Sequence, residues 1–332
     1  MLIRPAIEAL RSSDAPQRRA SLPLHQAIAD WFDGPGQGLS DLELAEFAAG
    51  TPVERLPRLG ALFAAGSTLA RGLVDDFNAM LCRWLADSEL DLVSLRHFSD
   101  DLTASLMLAR HHEATLTLQV VNGPALARRP APVSVPFMPG ETHDLVLAGS
   151  AEVEVVTLAE ERPGGARLEM RRDELRTGAV HHRFGSAQAV ILRQVPTSLV
   201  TLKLQRRIGQ GAVTREYLLA DGSLVHQAAG CSRDSRLELT AALLGRMKRA
   251  DAAPLLAAMA EEHGAQSLRW QALRECLALD TATGLGALST IAARADDPLA
   301  APAVALRGQL LETYPALRRA LGDHVAQRGS LN

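Results

Sequence analysis

From Ala114 to Ala229 polar and apolar residues alternate with period two, and this constrains the fold more than any other feature of the chain. Thr115-Leu116-Thr117-Leu118-Gln119-Val120 shows the pattern, as do Glu152-Val153-Glu154-Val155 and Arg167-Leu168-Glu169-Met170. Successive side chains of an extended strand point to opposite faces, so each run buries one face and wets the other. Turn chemistry separates the runs: Asn122-Gly123-Pro124, Pro139-Gly140, Gly149-Ser150, Arg162-Pro163-Gly164-Gly165 and Asp221-Gly222. Short strands punctuated in this way form a small sandwich or barrel, a fold that commonly holds a ligand between its sheets.

Both flanks read as helical. Leu62, Phe63, Leu69, Leu73, Phe77, Met80, Leu81 and Trp84 recur three and four apart, and Leu92, Leu95, Phe98, Leu102 and Leu106 extend that spacing to Arg110. Ser40 with Glu43 forms a capping-box pattern ahead of Leu44 and Phe47. From Ser235 onward amphipathic segments return. Ala272-Leu273-Arg274 with Leu277 is echoed 33 residues later by Ala305-Leu306-Arg307 with Leu310, so this part is expected to be a plain bundle or a HEAT-like stack of helix pairs. The expected boundaries are 1–111, 112–230 and 231–332.

A net charge of −3 gives no basic footprint for nucleic acid. The doublets Arg171-Arg172 and Arg206-Arg207, the latter with Arg215, lack interleaved aromatics and are expected on a solvated face. Three cysteines without a CxxC pair fit reduced thiols in the cytoplasm. Arg4 and Glu8 argue against a signal peptide, and no apolar run reaches the length of a membrane span. The carrying motifs of P-loop enzymes, dinucleotide-binding folds, HExxH proteases and GxSxG hydrolases are missing from the sequence. The expected protein is therefore cytoplasmic, with no nucleic-acid or membrane partner.

Alternation selects the histidines that can point inward. His182 shares a face with Val180 and Phe184, and His181 lies on the other. By the same rule His143 joins Leu145 and Leu147, His226 joins Leu224 and Ala228, and His112 joins Leu116 and Leu118. If these strands converge, His143, His182 and His226 would hold a divalent transition metal, iron, manganese or zinc; otherwise each is a core histidine with a local hydrogen bond. Arg193, Arg215 and Glu141 are candidate ligand-binding residues, and Glu141, Asp144 and Glu174, each at a turn or strand end, candidate acids or bases.

The central stretch resembles the cupin superfamily of jelly-roll barrels. Thr142-His143-Asp144-Leu145-Val146-Leu147-Ala148-Gly149-Ser150 is similar to the end of the first cupin motif. Leu175-Arg176-Thr177-Gly178-Ala179-Val180-His181-His182 is similar to the opening of the second, and Ser198-Leu199-Val200-Thr201-Leu202-Lys203-Leu204 to the closing strand. The resemblance implies an α+β protein with a central cupin-like β-sandwich or barrel between helical N-terminal and C-terminal regions. It also implies a His-x-His pair upstream of a Glu ligand, where this chain has Val135, Phe137 and Met138. Two functions are consistent with this: a small-molecule-binding cupin, as a metal-dependent oxygenase or isomerase, or a non-catalytic hub whose helices bind a protein partner or a second copy in a homodimer. The sequence leaves open whether the chain is an enzyme.

Overall fold

The computed structural model describes residues 13–34, 41–87, 94–207, 213–229 and 232–317, with the isolated positions 8, 10, 11 and 36. Contacts divide the chain into two units, Met1–Arg207 with Tyr217–Ser223, and Ile208–Glu216 with Leu224–Asn332. The amino-terminal helices and most of the strands thus lie in one unit.

In the first unit helices α1 (Ala15–Asp33), α2 (Asp41–Ala49), α3 (Pro57–Leu62) and α4 (Leu69–Asp87) precede strands β1 (His97–Ser99), β2 (Thr103–His111) and β3 (Ala114–Asn122). The short helix α5 (Gly123–Ala127) leads to β4 (Ser134–Phe137), β5 (Glu141–Ala148), β6 (Ser150–Arg162), β7 (Gly165–Arg176), β8 (Val180–Phe184), β9 (Gln188–Gln194) and β10 (Ser198–Arg206). An antiparallel six-stranded sheet has the order β1-β2-β3-β10-β5-β8, and a three-stranded sheet the order β7-β6-β9.

Period-two alternation gives the large sheet two unlike faces. Leu116, Leu118, Leu145, Leu147, Leu202 and Leu204 share one core with Trp31, Phe47, Leu56, Phe63 and Phe77 of the amino-terminal region. Val121, Val146 and Leu199, on the other face, pack with Ala151, Val153 and Leu175 of the small sheet. The richer apolar face is therefore covered by helices, not turned into the space between the sheets. β5 is buried over nearly its whole length, because both faces are covered.

Several expectations are corrected here. The stretch ending at Arg110 is the hairpin strand pair β1 and β2 from His97 onward; its helical reading over 90–93 falls outside the described residues. Leu102 and Leu106 are four apart and fit helical spacing as well as period two, and pairing of Leu106 with Leu118 of β3 decides for the strand. His112 is in the turn between β2 and β3, at φ 47° and exposed, so alternation does not carry through it. Ser40 lies outside the described residues. Glu43 instead accepts hydrogen bonds from the backbone N–H of Arg58 and Leu59, at 3.1 and 2.8 Å, and so caps α3.

The second unit holds part of β11 (Val213–Leu218), β12 (Leu224–Ala229) and helices α6 (Ser232–Arg246), α7 (Ala253–Glu261), α8 (Gln266–Leu279), α9 (Thr281–Ala292) and α10 (Ala300–Thr313). Its core is built from small residues, Ala253, Ala257, Ala260, Ala272 and Ala287, with Leu256, Leu273, Leu288 and Ile291. Small side chains let helices approach closely: a Cβ on Gly284 would sit 2.6 Å from the Cα of Leu277. Ala272 and Leu273 are buried where Ala305 is exposed, so the echo at offset 33 does not carry equivalent packing. Among the described residues no helix is long and apolar enough to cross a membrane.

Candidate metal centre

Antiparallel pairing sets His143 of β5 opposite His182 of β8, and Glu141 opposite Arg206 at the end of β10. All four residues lie on the helix-facing side of the sheet, in line with Leu145 and Leu204. Glu141 and His143 are buried, whereas the His182 side chain is 41% exposed because β8 is the sheet edge. The expectation of a buried His182 is corrected accordingly.

Nε2 of His143 lies 3.1 Å from Oε1 of Glu141, and Nε2 of His182 lies 2.9 Å from the same oxygen. One ligand atom from each residue falls within 4.8 Å of the others. Arg206 forms an ion pair with Oε2 of Glu141, stacks its guanidinium 4.5 Å from the centre of the Phe47 ring, and donates to the Phe47 and Thr51 carbonyls. It thereby ties the end of α2 to the sheet and supplies Glu141 with a counter-charge. Phe47 and Phe63 meet the His143 ring edge-on, at 6.0 and 6.2 Å.

The surroundings set the protonation states. Burial pushes the Glu141 carboxyl up, but the charge and hydrogen bond of Arg206, with the two imidazoles, outweigh it and hold the group below its ordinary value. Burial lowers the His143 imidazole, the adjacent His182 lowers it further, and the Glu141 carboxylate opposes both without reversing them. An ionised carboxylate beside a neutral imidazole is the donor state that a divalent metal requires.

The other sequence candidates do not join this group. His226 is exposed on β12, in the second unit, and Arg215 is half-buried on β11. Arg193 is paired with Glu154 on the neighbouring strand β6. Glu174 is exposed and paired with Arg176. Asp144 is buried on the opposite face of the sheet, bonded to Arg183. Glu141 is the third donor of the group, where His226 was expected.

Arg206 was legible only as half of a surface doublet. Its burial follows from the run Leu202, Leu204, Arg206, which stays on the covered face of one strand. No sequence signal pointed to Phe47, whose place at the site depends on tertiary packing.

No family model matches the chain, and no curated protein matches it in sequence. Solved structures similar to the central stretch include the vicilin of Solanum melongena, at 12% identity over 38% of this chain and 33% of that one, with a TM-score of 0.27. The CENP-C domain of Drosophila melanogaster is similar at 14% identity over 40% of this chain and 98% of that one, TM-score 0.28. Ectoine synthase from P. lautus is similar at 10% identity over 33% and 68%, TM-score 0.22. The chain spans about a third of the length of the vicilins it matches.

Proposed function

We propose that the chain is a small-molecule-binding cupin-like protein with a divalent metal held by Glu141, His143 and His182. The convergence of these three donors within 4.8 Å carries the reading. Ligand atoms bonded at about 2.1 Å to one ion lie roughly 3.0–3.5 Å apart, so the spacing of Nε2 and Oε1 suits a shared ion as well as direct hydrogen bonds. Imidazole and carboxylate together suit zinc, manganese or iron. The exposed flank of His182 leaves a side of the group open for a further ligand, as a catalytic metal requires. A metal there would supply Lewis-acid polarisation of a bound oxygen in an oxygenase or isomerase. Glu141, fixed by Arg206, would stay ionised, and Phe47 and Phe63 would keep water from the buried side.

Elemental analysis of the untagged protein tests this reading, with calorimetric titration of Zn²⁺ and Mn²⁺ into chelator-treated protein. Near one ion per chain is expected, with at least 100-fold weaker binding in His143→Ala. Absence of metal together with no titratable site overturns it.

A non-catalytic interaction protein is the second reading. Leu239, Leu243 and Met247 follow one another at helical spacing along α6 and just beyond it, 68%, 57% and 56% exposed, an apolar stripe of the kind found at interfaces. This reading expects self-association, so light scattering should give a dimer that Leu243→Lys dissociates. A monomer at all concentrations removes it.

A further inference from the structure

The inter-sheet face of the six-stranded sheet is unusually polar for a surface covered by a second sheet. Beyond the apolar contact of Val146 and Leu199 with β6 and β7, this face carries Thr142, Asp144, His181, Arg183, Thr201 and Lys203. Asp144 lies opposite both Lys203 of β10 and His181 of β8, and Arg183 sits one pair further along opposite Thr142. Asp144, Lys203 and Arg183 have side chains 11%, 25% and 21% exposed.

The charges in this space do not balance. Arg183 donates to Oδ2 of Asp144. The Lys203 ammonium stands 3.6 Å from Oδ1, close enough for an ion pair but too far for a hydrogen bond, and Oδ1 has no hydrogen-bond partner. Nε2 of His181 is buried and also has none. From the small sheet Asp173 acts on His181, but its own charge is matched by Arg171, 2.8 Å away. Two largely buried cations, Arg183 and Lys203, therefore face the single carboxylate of Asp144, beside an imidazole nitrogen without a hydrogen-bond partner. Buried charges and polar atoms are costly when unmatched. Asp144 pairs with both cations, but its one negative charge offsets only one of their two positive charges, and His181 Nε2 is left without a hydrogen-bond partner.

We propose that this face binds a small anion through a carboxylate or phosphate group, which takes up the Lys203 ammonium, the Arg183 guanidinium and the His181 Nε2–H. Thr142 and Thr201, on the same face, supply hydroxyl donors beside it. The site is independent of the metal group, which occupies the opposite face of the same sheet.

The test is calorimetric titration and thermal unfolding of the full chain with inorganic phosphate and with malonate, chelator-treated and at ionic strength fixed with NaCl. Saturable binding of at least one of them is expected; phosphate alone identifies a phosphate-bearing ligand, malonate alone a carboxylate. Lys203→Gln should weaken binding at least 10-fold. Asp144→Asn should tighten it several-fold, because the competing carboxylate is gone, whereas a purely structural bridge gives a destabilised protein that neither anion rescues. No effect of either anion beyond NaCl overturns the proposal, as does undiminished binding in Lys203→Gln. Should Lys203→Gln fail to fold, the His181 ring resonances of the unaltered protein decide: they must shift during the titration, and stationary resonances overturn the proposal. Because the protein is chelator-treated throughout, failure of the metal reading is read separately.

Discussion

His143 and His182 stack across adjacent strands, with ring centres 4.4 Å apart and planes 20° from parallel, and both direct Nε2 at one oxygen of Glu141. Two imidazoles this close disfavour a second positive charge, and one of them is enclosed by Phe47 and Phe63. His143 is therefore biased towards the neutral ring beside an ionised Glu141 carboxylate.

The first consequence is a pH dependence of stability. Burial and the neighbouring His182 depress the folded-state pKa of His143 below the ordinary 6.5. The unfolded chain then binds a proton before the folded one does, so stability is complete above about pH 6.5 and declines as the pH falls through the lower folded value. Glu141, also depressed, adds a second loss below about 4.5. Urea midpoints between pH 8 and 5 should fall on acidification, and His143→Gln should flatten the part of the curve just below pH 6.5. An unchanged slope in that variant would remove His143 as its source.

A second prediction concerns the pair behind the histidines. Glu141→Gln leaves the buried Arg206 without its counter-charge, and breaking a buried pair from one side costs about 3–5 kcal/mol. The double variant Glu141→Gln, Arg206→Met should lose less than the sum of the two single changes, because no uncompensated charge remains. Denaturant unfolding of the four proteins measures the coupling. Amide exchange at Gly50 and Thr51 should quicken in Arg206→Met, since Arg206 holds the carbonyls of Phe47 and Thr51.

How far the sequence carried can be followed along single strands. Alternation located most of the strands, and it set His143, Leu145 and Leu147 on one face, where they are found; Glu141, expected at a turn or strand end, continues that face. It could not say what covers that face. The same period serves a face turned to helices and one turned to a second sheet, so residues expected inside the barrel lie against α2 and the amino-terminal core instead. Edge position was also hidden: β8 borders only β5, which exposes His182 although its register is as alternation set it. Arg206 illustrates the third gap. A charged residue ending an apolar run reads as surface until a partner carboxylate from another strand is known, and that partner is fixed by strand order rather than by local pattern.

Gly149 provides a third prediction. It joins β5 of the large sheet to β6 of the small one, at φ 83°, and a Cβ there would lie 2.0 Å from the Ser198 carbonyl oxygen. Both the left-handed backbone and the contact with backbone atoms require glycine. Gly149→Ala should cost about 2 kcal/mol or more, read as a lowered urea midpoint. A variant of ordinary stability would mean that the chain passes between the sheets by another conformation.

The last prediction isolates the second unit. Arg269 donates Nη1 and Nη2 to the two oxygens of Asp297, at 3.0 and 2.5 Å, and Nε to the Ala260 carbonyl, with the side chains 6% and 7% exposed. These bonds join α7, α8 and the turn before α10. The bond from Arg269 is the leading cause of a lowered Asp297 pKa, so its stabilisation is present above the ordinary carboxylate value of 3.8 and is lost as pH falls below it. Arg269→Met strands a buried carboxylate and a carbonyl, and about 3–5 kcal/mol should be lost from this unit. Asp297→Asn should lose less, because the amide oxygen can still accept one of the two bonds. Amide exchange resolves the effect by location: α8 and α9 should lose protection in Arg269→Met while β3, β5 and β10 keep theirs. Equal loss in both sets would show that the two units unfold together rather than separately.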